Sequence, residues 1–94
     1  MASDFEQIHN YYERLVLEAV MRRSREHEHF TSDMLADVAC LALSRLPARY
    51  VRHDVDLIFY LTEAERRAIE VSMDEALNYA FGFVNNRALK RDLR

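Results

Sequence analysis

Glycine, proline and cysteine each occur once in this 94-residue chain, and tryptophan does not occur at all. One glycine and one proline leave almost no material for hairpin turns, long loops or linkers, so helices must make up most of the chain. The single cysteine, Cys40, excludes an internal disulfide and a multi-thiolate metal site, and it fits a reducing, cytoplasmic setting. Lysine is scarce too: Lys90 stands alone against twelve arginines. No apolar run approaches the ~18 residues of a membrane span, and MASDFEQIHNYY has no apolar core of a signal peptide, so no membrane partner is expected. A net charge of -3 and a pI near 5.8 argue against nucleic-acid binding by counterion release.

What is present is hydrophobic material, 50% of the residues, enough for the core of one domain spanning residues 1–94. A chain this short buries only about 60–65% of its surface on folding, so association into a dimer is expected. Phe5, Ile8, Tyr12, Leu15 and Ala19 step by three and four, which predicts a first helix from Asp4 to about Arg25, capped by Ser3 or Asp4. Glu26 to Phe30 is a polar break. A second helix begins at Thr31, Ser32 or Asp33. It carries apolar residues nearly all round, including Leu35, Val38, Leu41, Ala42 and Leu46, which predicts burial on several sides. Pro47 ends it.

Residues 47–61 read as a longer non-helical connection, with Tyr50–Val51 and Leu57–Leu61 suited to an extended backbone. Thr62 to Glu65 is a capping box that opens a long third helix to about Lys90. Ile69, Met73, Ala76, Ala80 and Val84 form its apolar line. Gly82 within it points to a close helix crossing, and the charged end is expected to fray. The fold class is therefore all-α: a compact bundle of three main helices.

The richest stretch for function is Asp37 to Asp54, DVACLALSRLPARYVRHD. Arg45, Arg49, Arg52 and His53 gather where an apolar helix ends, with Tyr50 among them. Guanidinium forks suit phosphate, and arginine planes and tyrosine faces suit a base. The bland reading is a set of solvated surface arginines or pairs with the sixteen acids. Asp37 in the apolar helix is either a buried structural partner of an arginine or an acceptor for a guanine edge, and Asp54 shares the second role.

Glu26, His27, Glu28 and His29 resemble metal ligands, but an HxH pair in a loop reads as a solvated loop, and no metal is expected. His9 reads as a surface or interface residue, and Cys40 as core filler. Tyr11, Tyr12, Phe81 and Phe83 read as core or dimer interface. No nucleophile elbow, phosphate-cradling glycine loop or paired-carboxylate pattern is present, so an enzyme is not expected.

HNYYERLV (His9 to Val16) and DVACLALSRLPARYVRHDVD (Asp37 to Asp56) resemble the late-competence development ComFB family. Its pattern has Asn and Glu before LV in a first helix, then an ALxLPxxY core. The resemblance implies an all-α homodimer and a receptor for cyclic di-GMP. With the absence of a catalytic pattern, the expectation is a cytosolic, non-enzymatic receptor that relays to a partner protein, the alternative being a ligand-free dimeric helical adaptor whose basic turn binds an acidic partner. It implies a ligand site at Asp37, Arg45, Leu46, Pro47, Arg49 and Tyr50, with Asn10 and Glu13 on the first helix motif. Arg52, His53 and Asp54 continue that site. Ser44 stands where the family usually has asparagine. The cysteines that bind zinc in some members are absent before the second helix, so zinc is not implied.

Overall fold

The computed structural model describes residues 5–92. Within it the chain runs β1 (His9–Asn10), α1 (Tyr11–Ser24), α2 (Ser32–Ser44), β2 (Tyr50–Val51), α3 (Asp54–Tyr60) and α4 (Glu63–Asp92). The all-α architecture holds, with one addition. β1 and β2 form a two-stranded antiparallel ladder that pairs His9 with Val51 and Asn10 with Tyr50.

α1 starts at Tyr11 rather than Asp4. The Asn10 side chain accepts from the Tyr12 N–H at 3.3 Å, and its extended backbone starts the helix there. Phe5 and Ile8, assigned to the helical stripe from their spacing, are exposed and precede the helix. The caps expected at Ser3 or Asp4 lie outside the described residues. Glu13 in the first turn and Arg22 and Arg23 in the last complement the helix dipole.

α2 starts after Thr31, whose hydroxyl accepts from the Met34 N–H at 3.2 Å. The Met34 sulfur accepts from the Thr31 N–H in return, at 3.5 Å. The helix closes at Ser44, and bonds from Arg45 and Leu46 N–H groups to Ala42 and Leu43 carbonyls tighten its end before Pro47. α2 packs chiefly on α4 and on α1. It is not buried on several sides: Val38, Ala39 and Ala42 form the buried stripe, while Ala36, Asp37 and Cys40 face outward. Cys40 is thus an exposed thiol and not core filler.

One broad face of α2 is enough for burial because its main packing partners, α1 and α4, lie on that side. The core joins Tyr12, Val16, Ala19 and Val20 of α1 to the α2 stripe, to Leu46, and to Ala76, Leu77, Ala80, Phe81 and Val84 of α4. Small residues at the contacts let the helices approach closely. Phe83 lies outside this core and is partly exposed.

The connection before α4 is not a plain loop. Leu57 to Tyr60, read as β-formers, are helical in α3, and Leu61 follows in an extended conformation. The ladder is only two residue pairs long, and in α3 local i→i+4 bonding, such as the Leu61 N–H to the Leu57 carbonyl, satisfies the backbone groups instead. At α4 the Thr62 hydroxyl accepts from the Glu65 N–H at 3.1 Å, as the capping box requires. The Glu65 carboxylate, however, accepts from the Thr62 hydroxyl and not from its N–H.

α4 continues through Asp92, so the described part of the charged end is helical. At 1.5 Å per residue it is about 45 Å long, and it sets the 52 Å longest dimension. Gly82 marks no close crossing: a methyl group added there would meet nothing within 4 Å.

In Glu26–Phe30 the side chains of Glu26, Glu28 and His29 are exposed, as a solvated loop requires, while His27 is half-buried and Phe30 buried. His27 stacks on Phe81 with ring centres 4.6 Å apart, Phe30 packs beside Phe81, and the His29 Nε2–H donates to Asn85 at 2.8 Å. His27 and Phe30 thereby pin the break to α4.

Candidate functional site

The basic turn is built by Asn10, Leu46 and Pro47. Leu46 is buried and anchors the end of α2, while Pro47 prevents further helix. The chain then reaches Arg49, whose backbone is held on both sides. Its N–H donates to the Asn10 side-chain oxygen at 3.0 Å, and its carbonyl accepts from the Tyr11 N–H at 2.7 Å. A single side-chain amide therefore caps α1 and fixes the turn. Tyr50 and Val51 continue into the ladder with β1, which leaves the Tyr50 side chain 70% exposed.

Arg45 projects from the other side of Leu46. Its guanidinium carbon lies 3.8 Å from the centre of the Tyr79 ring of α4, a cation–π contact that orders the fork while leaving its N–H edges available. A cavity of about 140 Å³ adjoins it, lined by Arg45, Leu46, Pro47, Ser72, Glu75 and Ala76. Among the described residues, no ion pair involves Arg45, Arg49 or Arg52.

Arg52 and His53 follow β2 and are exposed. His53 takes the N-cap position of α3 without a side-chain bond. Asp54 is engaged at both carboxylate oxygens, by His9 Nε2 at 2.6 Å and by Arg14 Nη2 at 3.2 Å. A guanine edge would have to displace one of them. His9 also bonds the Gln7 carbonyl through Nδ1 at 2.7 Å. That bond, and the bond to Asp54, raise the His9 pKa above its ordinary 6.5.

The fold gathers Asn10, Arg49 and Tyr50 in direct contact, with Arg52, His53 and Asp54 next in the chain, while Arg45, four positions before Arg49, rests on Tyr79 of α4. It does not bring Asp37 to them. Eight residues of helix separate Asp37 from Arg45, about 12 Å along the axis. Asp37 is also not the buried carboxylate its apolar neighbours suggested. It is exposed, makes no ion pair among the described residues, and lines a separate groove with Asp33, Phe83 and Arg87.

Sequence reasoning missed Tyr79 and Glu75, which stand beside Arg45, and the His9–Asp54–Arg14 cluster. Tyr79 neighbours the buried Ala80 on α4, but only the packing angle of α2 on α4 sets it under a guanidinium. His9 and Asp54 are forty-five positions apart, and no local pattern links them.

Among the described residues no group of His, Cys, Asp and Glu side chains could hold a metal ion, and no helix is long and apolar enough to cross a membrane. No curated protein and no solved structure matches the chain. The family model described as late competence development protein ComFB matches residues 9–88. That span runs from the β1 residue that pairs with β2 nearly to the end of α4, so it includes every element of the turn. The chain belongs to the ComFB family.

Proposed function

We propose that this protein is a non-enzymatic receptor for cyclic di-GMP, which it binds at the turn between α2 and α3. The carrying observation is that Arg45, Arg49 and Arg52, within eight residues of chain, are all exposed. Their turn is fixed by Asn10, and no ion pair among the described residues neutralises them, in a chain of net charge -3. A fork held over Tyr79 loses little side-chain entropy on gripping a phosphate.

In this reading Arg45, Arg49 and Arg52 hold the two phosphates by charge-assisted bonds. Tyr50 offers its exposed face to a guanine. Glu75, across the small cavity from Arg45, accepts from the guanine N–H edge in place of Asp37. The ligand is two-fold symmetric and suits a two-fold dimer.

α3 offers the face for that dimer. It buries none of its residues, and it leaves Val55 74%, Phe59 80% and Tyr60 77% exposed. With Ile58, 40% exposed, they form a run of apolar side chains that a second copy could cover. The same patch favours a second reading, a ligand-free dimeric adaptor whose basic turn grips an acidic protein.

Thermal melting with a nucleotide panel separates the two. Cyclic di-GMP at about 100 times its dissociation constant adds about 2.7 kcal/mol of stability in the receptor reading. A melting temperature unmoved across the panel, with the dimer intact, leaves the adaptor.

A further inference from the structure

We infer that His9 is a proton-operated latch that holds α3 against the body of the protein. α3 is a helix without a buried residue. Its described polar attachments are at its two ends. At the start, the Asp54 carboxylate meets His9 and Arg14; near the end, the Ile58 carbonyl accepts from the Arg66 guanidinium at 3.1 Å. Packing does little to hold this helix, so the bonds at Asp54 decide how firmly it sits.

The chemistry of the latch follows from what faces the imidazole. Nδ1 lies 2.7 Å from the Gln7 carbonyl and Nε2 lies 2.6 Å from the Asp54 carboxylate. Both partners are acceptors only, so both ring nitrogens must carry hydrogen. Only the imidazolium satisfies that pair of bonds. A neutral ring, in either tautomer, turns a nitrogen lone pair toward an oxygen lone pair and must give up one of the two contacts.

The other charges around it are consistent with this. From α1, Glu13 adds a favourable field, and Arg14 opposes the proton but shares Asp54 with it. From β2 the facing residue is the uncharged Val51. From α3 the facing group is Asp54 itself.

The sign of the effect is fixed by the raised pKa. The folded form binds the His9 proton more tightly than the unfolded chain. The stabilisation is complete below about pH 6.5 and is lost as pH rises through the folded value. Arg14 keeps Asp54 partly engaged after deprotonation, so α3 loosens and does not detach. His9 is 38% exposed, so solvent and ions reach it. Loosening α3 would move Val55, Phe59 and Tyr60 relative to the arginine turn that precedes them.

The test follows the His9 ring by nitrogen NMR while amide exchange is measured over residues 55–60, from about pH 5.5 to about 9. His9 should titrate above 6.5. Exchange in α3, corrected for base catalysis, should rise about two- to fivefold with the same midpoint. His9→Gln and Asp54→Asn should abolish the step. A His9 midpoint at or below 6.5, an α3 step that does not track it, or a step that survives His9→Gln would each overturn the latch. The titration of the unaltered protein decides the matter even where a variant fails to fold, and it uses no nucleotide.

Discussion

The side-chain oxygen of Asn10 accepts from the backbone N–H of Arg49 at 3.0 Å, thirty-nine residues away in the chain. The same oxygen accepts from Tyr12, so the cap of α1 and the geometry of the arginine turn are one feature. Asn10→Ala removes both bonds and should destabilise the protein by about 1–2 kcal/mol in denaturant unfolding. Asn10→Asp keeps the acceptor and should recover most of that loss. Equal losses in both variants would show that the amide N–H₂, and not the oxygen, is what matters.

Arg45 rests on Tyr79, and that contact should be measurable in ligand binding. Tyr79→Leu keeps an apolar surface beside α2 but removes the ring face. It should weaken cyclic di-GMP binding by about 0.5–1 kcal/mol, with helicity unchanged. Arg45→Ala should weaken it by about 1.5–3 kcal/mol. A larger effect from Tyr79→Leu than from Arg45→Ala would mean that Tyr79 contacts the ligand itself.

The apolar face of α3 predicts a change in assembly. Phe59→Glu sets a charge on a residue that is 80% exposed in the single chain, so folding should be unaffected. In the dimer proposed above, the unaltered protein should sediment as a dimer and the variant as a monomer. A dimer that persists in Phe59→Glu would locate the interface elsewhere.

Leu77 is among the largest fully buried side chains and lies where α4 meets the other two long helices. Leu77→Ala should cost about 2–5 kcal/mol through lost burial and the cavity left behind. Gly82→Ala should instead be neutral or stabilising by up to ~1 kcal/mol, because the added methyl meets open space in a helix. Chemical unfolding of the two variants side by side checks both signs.

Much of the helical framework was legible because it rests on local rules. Thr31 and Thr62 mark helix starts by hydroxyl capping, Pro47 marks a helix end, and the line from Ile69 to Val84 marks the buried face of α4. The errors fall where a distant residue overrules the local pattern. Phe5 and Ile8 continue the spacing of α1, yet the helix starts at Tyr11, where Asn10 is committed to both its cap and Arg49. Leu57 to Tyr60 have β-forming side chains, yet they join no ladder and close on themselves through local bonds as α3. Asp37 sits among apolar residues in sequence, but α2 packs chiefly on α1 and α4 and turns it outward. The arginines of the turn were visible in the sequence; their neighbours Tyr79 and Glu75 were not, because the crossing of α2 on α4 brings them there.

Titration calorimetry with cyclic di-GMP tests the central claim most directly, run at tens of micromolar protein beside Arg49→Ala. The receptor account predicts saturable heat, with affinity reduced by about 1.5–3 kcal/mol in the variant. No binding heat in the unaltered protein, or equal affinity in the two proteins, would contradict it.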